Sequence, residues 1–416
     1  MKFEDYYISQ ELKKNLAKLG FVKPTDIQFK SIPPILKGED VLAIAQTGTG
    51  KTAAFAIPVI DIIHRGKMKQ RHDGIRCLVM VPTRELAQQI TEVFDKLSRH
   101  TKVKAYGIYG GVEQDAQIDH LEEGFDILIS TPGRMFDLIS QGHLLVDRIE
   151  ILILDEADHM LDLGFIKDIQ DIKRKLNRKH QTLFFSATIN DVIKKLAYSL
   201  VENPIRIQVS PKDPVSKNIE HSVVFIEMDD KRFFLERMIK ENPFSKIMIF
   251  VRTKVRAERV KLAMERVGIE TITIHGDKDQ NDRFGVMKRF KTGDVKVLIA
   301  TDVSSRGIDI PNVDFVVNYD LPDVSENYVH RVGRTGRGMA KGLAVSFCSK
   351  EEKPILDEIQ GFLGSNIAVL EMSKTEYKDI LEVMQESENE TDWKSLIREN
   401  EEFEAKRKKS GAKKKK

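Results

Sequence analysis

Residues 151–158 read Ile-Leu-Ile-Leu-Asp-Glu-Ala-Asp, so three carboxylates follow directly on an aliphatic run. Oxygen ligands of this kind suit a hard divalent cation, and a carboxylate can also take a proton from a reacting group. A second stretch has matching chemistry. Gln46-Thr47-Gly48-Thr49-Gly50-Lys51-Thr52 follows the apolar run 41–45 and precedes an apolar-patterned segment. Ala45-x-x-x-x-Gly50-Lys51-Thr52 is a P-loop pattern in which Ala45 stands where the general pattern has glycine. Gly48 and Gly50 let backbone N–H groups turn inward around phosphates, and the next helix aims its positive end at the same anion. Lys51 would reach the β- and γ-phosphates of ATP, and Thr52 would ligate Mg²⁺. A P-loop needs an acidic strand end for its metal. Asp155 suits that role, partly through water, and Glu156 suits the base that accepts a proton from the attacking water. Taken alone, either stretch could be a solvated acidic turn or a glycine turn before an ordinary helix.

Other stretches offer complementary groups. Residues 328–338, YVHRVGRTGRG, hold His330, Arg331, Arg334 and Arg337 among three glycines. Planar guanidinium forks match a γ-phosphate whose charge is spread over three oxygens. Gln28 offers one donor and one acceptor, the pair that matches adenine N6 and N7, and Phe21 can stack on the ring.

These side chains need a scaffold that brings distant stretches to one edge. Short apolar runs near 41–45, 76–81, 126–130, 150–154 and 182–186 alternate with helical patterns, which implies βαβ units and a parallel sheet. A second series, SVVFIE, KIMIFV, TITIH, VKVLIA, DFVVNY and LAVSF, follows a polar stretch at 210–218 that carries two prolines. The expected organisation is an α/β domain over 1–209, a linker over 210–218, a second α/β domain over 219–372, and a charged, partly helical, largely disordered tail over 373–416. The 416 residues are 41% hydrophobic and 31% charged, as in a soluble, well-cored protein. No apolar run is long enough for a membrane span, and the first ten residues lack the pattern of a signal peptide. Two cysteines in apolar surroundings read as reduced, so a cytoplasmic location is expected. The net charge of +3 does not by itself argue a nucleic-acid partner, but residues 406–416 hold eight Lys or Arg and no acid.

With Asp155-Glu156-Ala157-Asp158, AQTGTGKT upstream and Ser186-Ala187-Thr188 downstream, the chain resembles the DEAD-box RNA helicases of superfamily 2 over roughly residues 3 to 350. Residues 71–90 make it most similar to the bacterial RhlE-like branch. The resemblance implies two tandem RecA-like domains that bind ATP and Mg²⁺ in a cleft and RNA across it. It assigns Phe3, Phe21 and Gln28 to adenine, Gln46, Thr47, Gly48, Thr49, Gly50, Lys51 and Thr52 to the phosphates and metal, and Asp309 to the ribose. Arg334 and Arg337 become arginine fingers. His330 and Arg331 would link their block to Asp158, Ser186 and Thr188. RNA would run over Arg84, Gly110, Gly111, Thr131, Gly133, Arg134, Arg252, Thr253, Gln280, Arg283 and Thr301. No aromatic ladder for reading bases is visible, so backbone contacts without sequence preference are expected. The implied activity is ATP-dependent local separation of short RNA duplexes. Two other readings stay open: an ATP-gated RNA clamp with little unwinding, and a DNA helicase of the same superfamily. The tail is expected to touch RNA loosely, and ribonucleoprotein or RNA-degradation partners are conceivable through it.

Overall fold

The computed structural model describes residues 1–46, 48–69, 74–176, 178–209, 215–302, 313–336 and 341–382. The chain divides into two compact units whose main boundary in sequence falls between Pro214 and Val215. The expected linker at 210–218 therefore lies partly outside the described residues.

In the first unit seven strands form one sheet: β1 (Val41–Ala45), β2 (Cys77–Met80), β3 (Ala105–Ile108), β4 (Ile127–Ser130), β5 (Ile151–Leu154), β6 (Gln181–Ser186) and β7 (Ile205–Val209). Their order is β3-β4-β2-β5-β6-β1-β7, and every pairing is parallel. The aliphatic runs explain why. Val41, Ala43 and Ala45 enter one core cluster while Leu42 and Ile44 enter the other, so β1 is covered by helices on both faces. Fully burying each such Ile or Leu contributes about 1.5–3 kcal/mol.

The second unit repeats the plan. Strands β8 (Ile219–Phe225), β9 (Ile247–Phe250), β10 (Ile272–Ile274), β11 (Val297–Ala300), β12 (Phe315–Asn318), β13 (Gly342–Cys348) and β14 (Ala368–Val369) take the order β10-β11-β9-β12-β13-β8-β14. All of these pairings are parallel as well. Adding seven to each strand number of the first sheet gives the second.

Two expectations need correction. Strands β3, β7 and β14 are additions to the expected set. They lie at sheet edges with half-exposed or exposed residues, so no apolar run marks them. The tail boundary at 373 is also too early. Residues 374–382 are helical, Ile380 is buried, and Tyr377 and Leu381 pack against the second core. That apolar triad at i, i+3 and i+4 is masked in sequence by the charges between its members. Residues 383–416 lie outside the described residues. Among the described residues no helix is long and apolar enough to cross a membrane.

Candidate active site

Parallel strands all deliver their carboxyl ends to one edge, where open α/β sheets bind ligands. On the first sheet, β1, β6 and β5 are neighbours. The P-loop follows β1, Ser186 ends β6, and Asp155 follows β5.

Gly48 and Gly50 have φ of 80° and 91°, which side-chain-bearing residues rarely adopt. A Cβ on Gly50 would also lie 2.5 Å from Gln28 Nε2. The Thr49 hydroxyl donates to the Gln46 carbonyl at 2.7 Å and closes the turn. Thr52 lies in the first turn of the helix Lys51–Lys69. Lys51 opens that helix, is 6% exposed, and its Nζ has no hydrogen-bond partner among the described residues. Asp155 is 3% exposed. Burial pushes its carboxyl up to about 6, Glu156 and Asp158 add to the rise, and Lys51 and the Glu156 N–H oppose it. A buried ammonium with unused donors near a buried carboxylate fits an anionic, metal-bearing ligand such as Mg-ATP. The oxygen donors of Asp155 and Thr52 are those a hard divalent cation takes.

Glu156 adopts the left-handed region, φ 53° and ψ 49°, as it ends the strand and starts the short helix Ala157–Asp162. Asp158 is fully employed. Its Oδ2 accepts from Ala187 N at 3.1 Å, Thr188 N at 3.0 Å and Thr188 Oγ1 at 3.1 Å, while Oδ1 accepts from His159 N at 3.1 Å. Ser186 Oγ donates to the Thr188 carbonyl at 2.7 Å. The acidic turn and the turn after β6 are thus one hydrogen-bonded unit. Sequence reasoning missed His159, which is buried with Nδ1 3.4 Å from Glu156 Oε2. Its i+3 spacing from Glu156 was the available signal.

The adenine residues need adjustment. Gln28 is buried; its Oε1 accepts from Thr25 N at 3.0 Å and its Nε2 donates to Gly50 O at 3.2 Å. The amide is therefore a brace between a helix cap and the P-loop, with one lone pair and one N–H left for a base. Phe3 is 3% exposed and packs edge-on against the half-buried Phe21 at 5.7 Å. Phe3 supports Phe21 rather than presenting its own ring face.

Three further strand ends of the first sheet belong to β2, β4 and β3, again neighbours. Arg84 opens the helix after β2, Thr131 caps the helix after β4, and Gly110 and Gly111 follow β3. Gly111 has φ 78°, and an added Cβ would collide with Arg84 Nη1, so the guanidinium lies against this glycine backbone. An added Cβ on Gly133 would meet nothing within 4 Å. Arg134 is buried; its Nη2 donates to Val112 O at 3.1 Å, and its Nη1 has no hydrogen-bond partner among the described residues.

The second unit gathers the other residues at the same edge of its own sheet. Arg252 and Thr253 follow β9, and Thr253 Oγ1 accepts from Arg256 N at 3.2 Å. Thr301 follows β11 and its N–H donates to Ile274 O at 3.4 Å. Gln280 and Arg283 lie in the first turn of the helix Gln280–Thr292, with Gln280 buried. Arg252 is partly committed, since its Nε lies 3.1 Å from Asp323 Oδ1. Arg334 Nε donates to the His330 carbonyl at 3.2 Å, one helical turn earlier.

Arg331 corrects an expectation. It is 1% exposed, and its guanidinium is held inside its own unit. It donates to Asp302 at 2.5 and 2.8 Å, to Asn318 Oδ1 at 3.3 Å and to the Asp320 carbonyl at 2.7 Å. It fixes the helix Ser325–Val332 to β12, so the linking role expected of it toward Asp158 does not follow. Thr47, Asp309 and Arg337 lie outside the described residues.

Family models match twice: DEAD/DEAH box helicase over residues 25–196, and helicase conserved C-terminal domain over 230–339. The ATP-dependent RNA helicase DbpA of Bacillus subtilis is 39% identical over 375 residues, 90% of this chain and 77% of its own length. The ATP-dependent RNA helicase RhlB of Shewanella piezotolerans is 38% identical over 372 residues, 88% of this chain and 85% of its own. Among solved structures, S. cerevisiae Dbp5 bound to RNA and ADP BeF3 aligns with a TM-score of 0.81 at 29% identity, covering 93% of this chain and 99% of that one. Mss116p bound to ssRNA and AMP-PNP aligns with a TM-score of 0.82 at 29% identity, covering 92% and 81%. With the P-loop and the acidic turn on two strand ends of one sheet that only β6 separates, and a second sheet of the same order after it, the chain belongs to the DEAD-box family of superfamily 2 ATP-dependent helicases.

Proposed function

We infer that this protein couples hydrolysis of Mg-ATP to RNA binding and to local separation of short RNA duplexes. The observation that carries the reading is the buried Lys51 ammonium, without a hydrogen-bond partner among the described residues, beside the buried Asp155 carboxylate at the mouth of the glycine loop. Lys51 and the loop amides hold the phosphates. Asp155 and Thr52 would hold Mg²⁺, which supplies charge neutralisation at the phosphates when bound. Glu156 takes the proton of the attacking water, with His159 steadying its carboxylate. Asp158 ties that turn to Ser186-Ala187-Thr188, so displacement of one displaces the other.

The RNA reading rests on Arg84, Gly110, Gly111, Thr131, Gly133 and Arg134 sharing one sheet edge, and on Thr253, Gln280, Arg283 and Thr301 sharing the equivalent edge in the second unit. Both sets suit backbone contacts rather than base reading. The RhlE-like assignment rests on the compact core, the short tail and residues 71–90, and tail-mediated partners rest on its charge. Strand displacement of a short RNA duplex, followed in a single turnover with excess protein, tests the activity. Displacement that needs ATP and is lost in Lys51→Ala is the expected result. ATP-dependent retention of RNA without displacement would leave the clamp.

A further inference from the structure

The second unit carries a basic cavity that the ATP chemistry does not use. It holds about 230 Å³ and is lined by Met228, Arg252, Thr253, Arg256, Arg259 and Asp320. Arg256 and Arg259 lie one turn apart near the start of the helix Lys254–Arg266, whose first turn contains no acid, and Arg252 precedes its N-cap Thr253. Two of the three guanidiniums are neutralised in part: Arg252 Nε lies 3.1 Å from Asp323 and its Nη2 3.5 Å from Glu352, and Arg256 Nε lies 3.0 Å from Asp320. Arg256 spends another donor on Met228 Sδ at 2.9 Å, a weak acceptor. Arg259 is exposed and has no hydrogen-bond or ion-pair partner among the described residues. Arg259 therefore leaves the cavity one guanidinium whose charge and donors are unspent.

The described chain ends close by. Tyr377 anchors the last helical segment: its ring packs on Phe234 at 4.9 Å, its hydroxyl donates to Asp230 Oδ2 at 2.7 Å, and Glu227 N donates to it at 3.1 Å. Glu227 and Asp230 bracket Met228, which lines the cavity. Beyond Glu382, residues 386–392 read Glu-Ser-Glu-Asn-Glu-Thr-Asp. The four acids fall at alternate positions, so an extended backbone puts them on one face. The separation from residue 382 spans roughly 13–35 Å of extended chain, which is ample from that anchor.

We propose that the acidic segment 386–392 docks in the Arg252–Arg256–Arg259 cavity as an intramolecular competitor of RNA. It covers Arg252 and Thr253, and RNA phosphates must displace it to reach them. The competition rests on the RNA reading of those two residues; the docking does not. A segment on so short a tether has an effective concentration on the order of millimolar, so a few weak charge pairs suffice for substantial occupancy.

Cysteine pairs test the docking in the full chain, because native Cys77 and Cys348 are both buried. Under mild oxidation Arg259→Cys with Glu388→Cys is expected to cross-link within one chain. Phe244→Cys, at an exposed position lining no part of the cavity, is expected to cross-link poorly to Glu388→Cys. Saturating single-stranded RNA should suppress the first cross-link. Equal cross-linking at both positions, or a cross-link joining two chains, would overturn the docking. RNA affinity supplies the second arm. Neutralising the segment with Glu386→Gln, Glu388→Gln, Glu390→Gln and Asp392→Asn should tighten RNA binding about two- to tenfold at low salt. The gain should shrink in an Arg259→Ala background, as coupled sites require. The same gain in both backgrounds would mean a general charge effect and would overturn the competition. A selective cross-link in a chain that binds no RNA would leave docking standing and remove the RNA reading instead.

Discussion

Glu156 sits at φ 53°, a conformation that costs a non-glycine residue roughly 1–3 kcal/mol. The turn is held by Asp155 Oδ1 accepting Glu156 N–H at 3.0 Å and by the bonds of Asp158 to the strand-end turn after β6. Because the proposed base is distinct from the groups proposed for metal and phosphate, Asp155 and Lys51, Glu156→Gln should keep ATP affinity within a few-fold while turnover falls about 10²-fold or more. Nucleotide titration and steady-state ATPase on the same variant check this; an unchanged turnover would remove Glu156 as the base. Asp155 makes a different prediction. Its ordinary value is 3.8 and the folded chain raises it to about 6, chiefly by burial. The ionised carboxylate therefore destabilises the nucleotide-free fold. That penalty is full above about pH 6 and absent below about pH 4, because the folded value lies above the unfolded one. Asp155→Asn should raise the stability of the nucleotide-free protein at pH 7.5 by on the order of 1–3 kcal/mol. The gain should fade at pH 4.5, even though turnover is lost. Denaturant melts at the two pH values provide the comparison.

At the level of elements, two glycines separate fold from ligand. Gly111 needs its positive φ, and a side chain there would strike the Arg84 guanidinium. Gly111→Ala should lower both stability and RNA affinity. Gly133 has open space in the first turn of the helix Pro132–Ser140. Gly133→Ala should leave stability unchanged or raise it by up to about 1 kcal/mol, while weakening RNA binding. Thermal melts beside RNA titrations distinguish the cases, and full RNA affinity in Gly133→Ala would remove that backbone from the RNA track. The same distinction explains what is legible in the sequence. The centre of each sheet is readable because strands buried on both faces are unbroken aliphatic runs. The edge strands β3, β7 and β14 are not, because exposure removes that signal. The P-loop and acidic turn are readable from spacing. The burial of Phe3, the bracing role of Gln28 and the internal commitment of Arg331 depend on tertiary partners 18 to 29 residues away or on neighbouring strands, which no local pattern records.

At the level of the whole molecule, two sheets share one strand order but only one holds a P-loop. The helix after β8 also opens with a lysine, yet the Lys231 ammonium is satisfied by Glu352 and the Tyr319 carbonyl and is fully buried. A P-loop lysine free for phosphate therefore belongs to the first unit. Residues 406–416, with eight Lys or Arg, should add ionic interactions with RNA phosphates without touching catalysis. Their deletion should flatten the salt dependence of RNA binding, by about 0.7 in slope for each phosphate no longer neutralised, and leave ATPase at saturating RNA unchanged. Superimposable salt curves would make that segment inert.

The central claim is that ATP turnover in this chain answers to RNA. Steady-state ATPase of the full-length protein in Mg²⁺, measured with single-stranded RNA and with DNA of identical sequence, tests it most directly. The account predicts strong stimulation by RNA, little by DNA, and none by either in Glu156→Gln. Equal stimulation by both nucleic acids, or turnover indifferent to either, would contradict it.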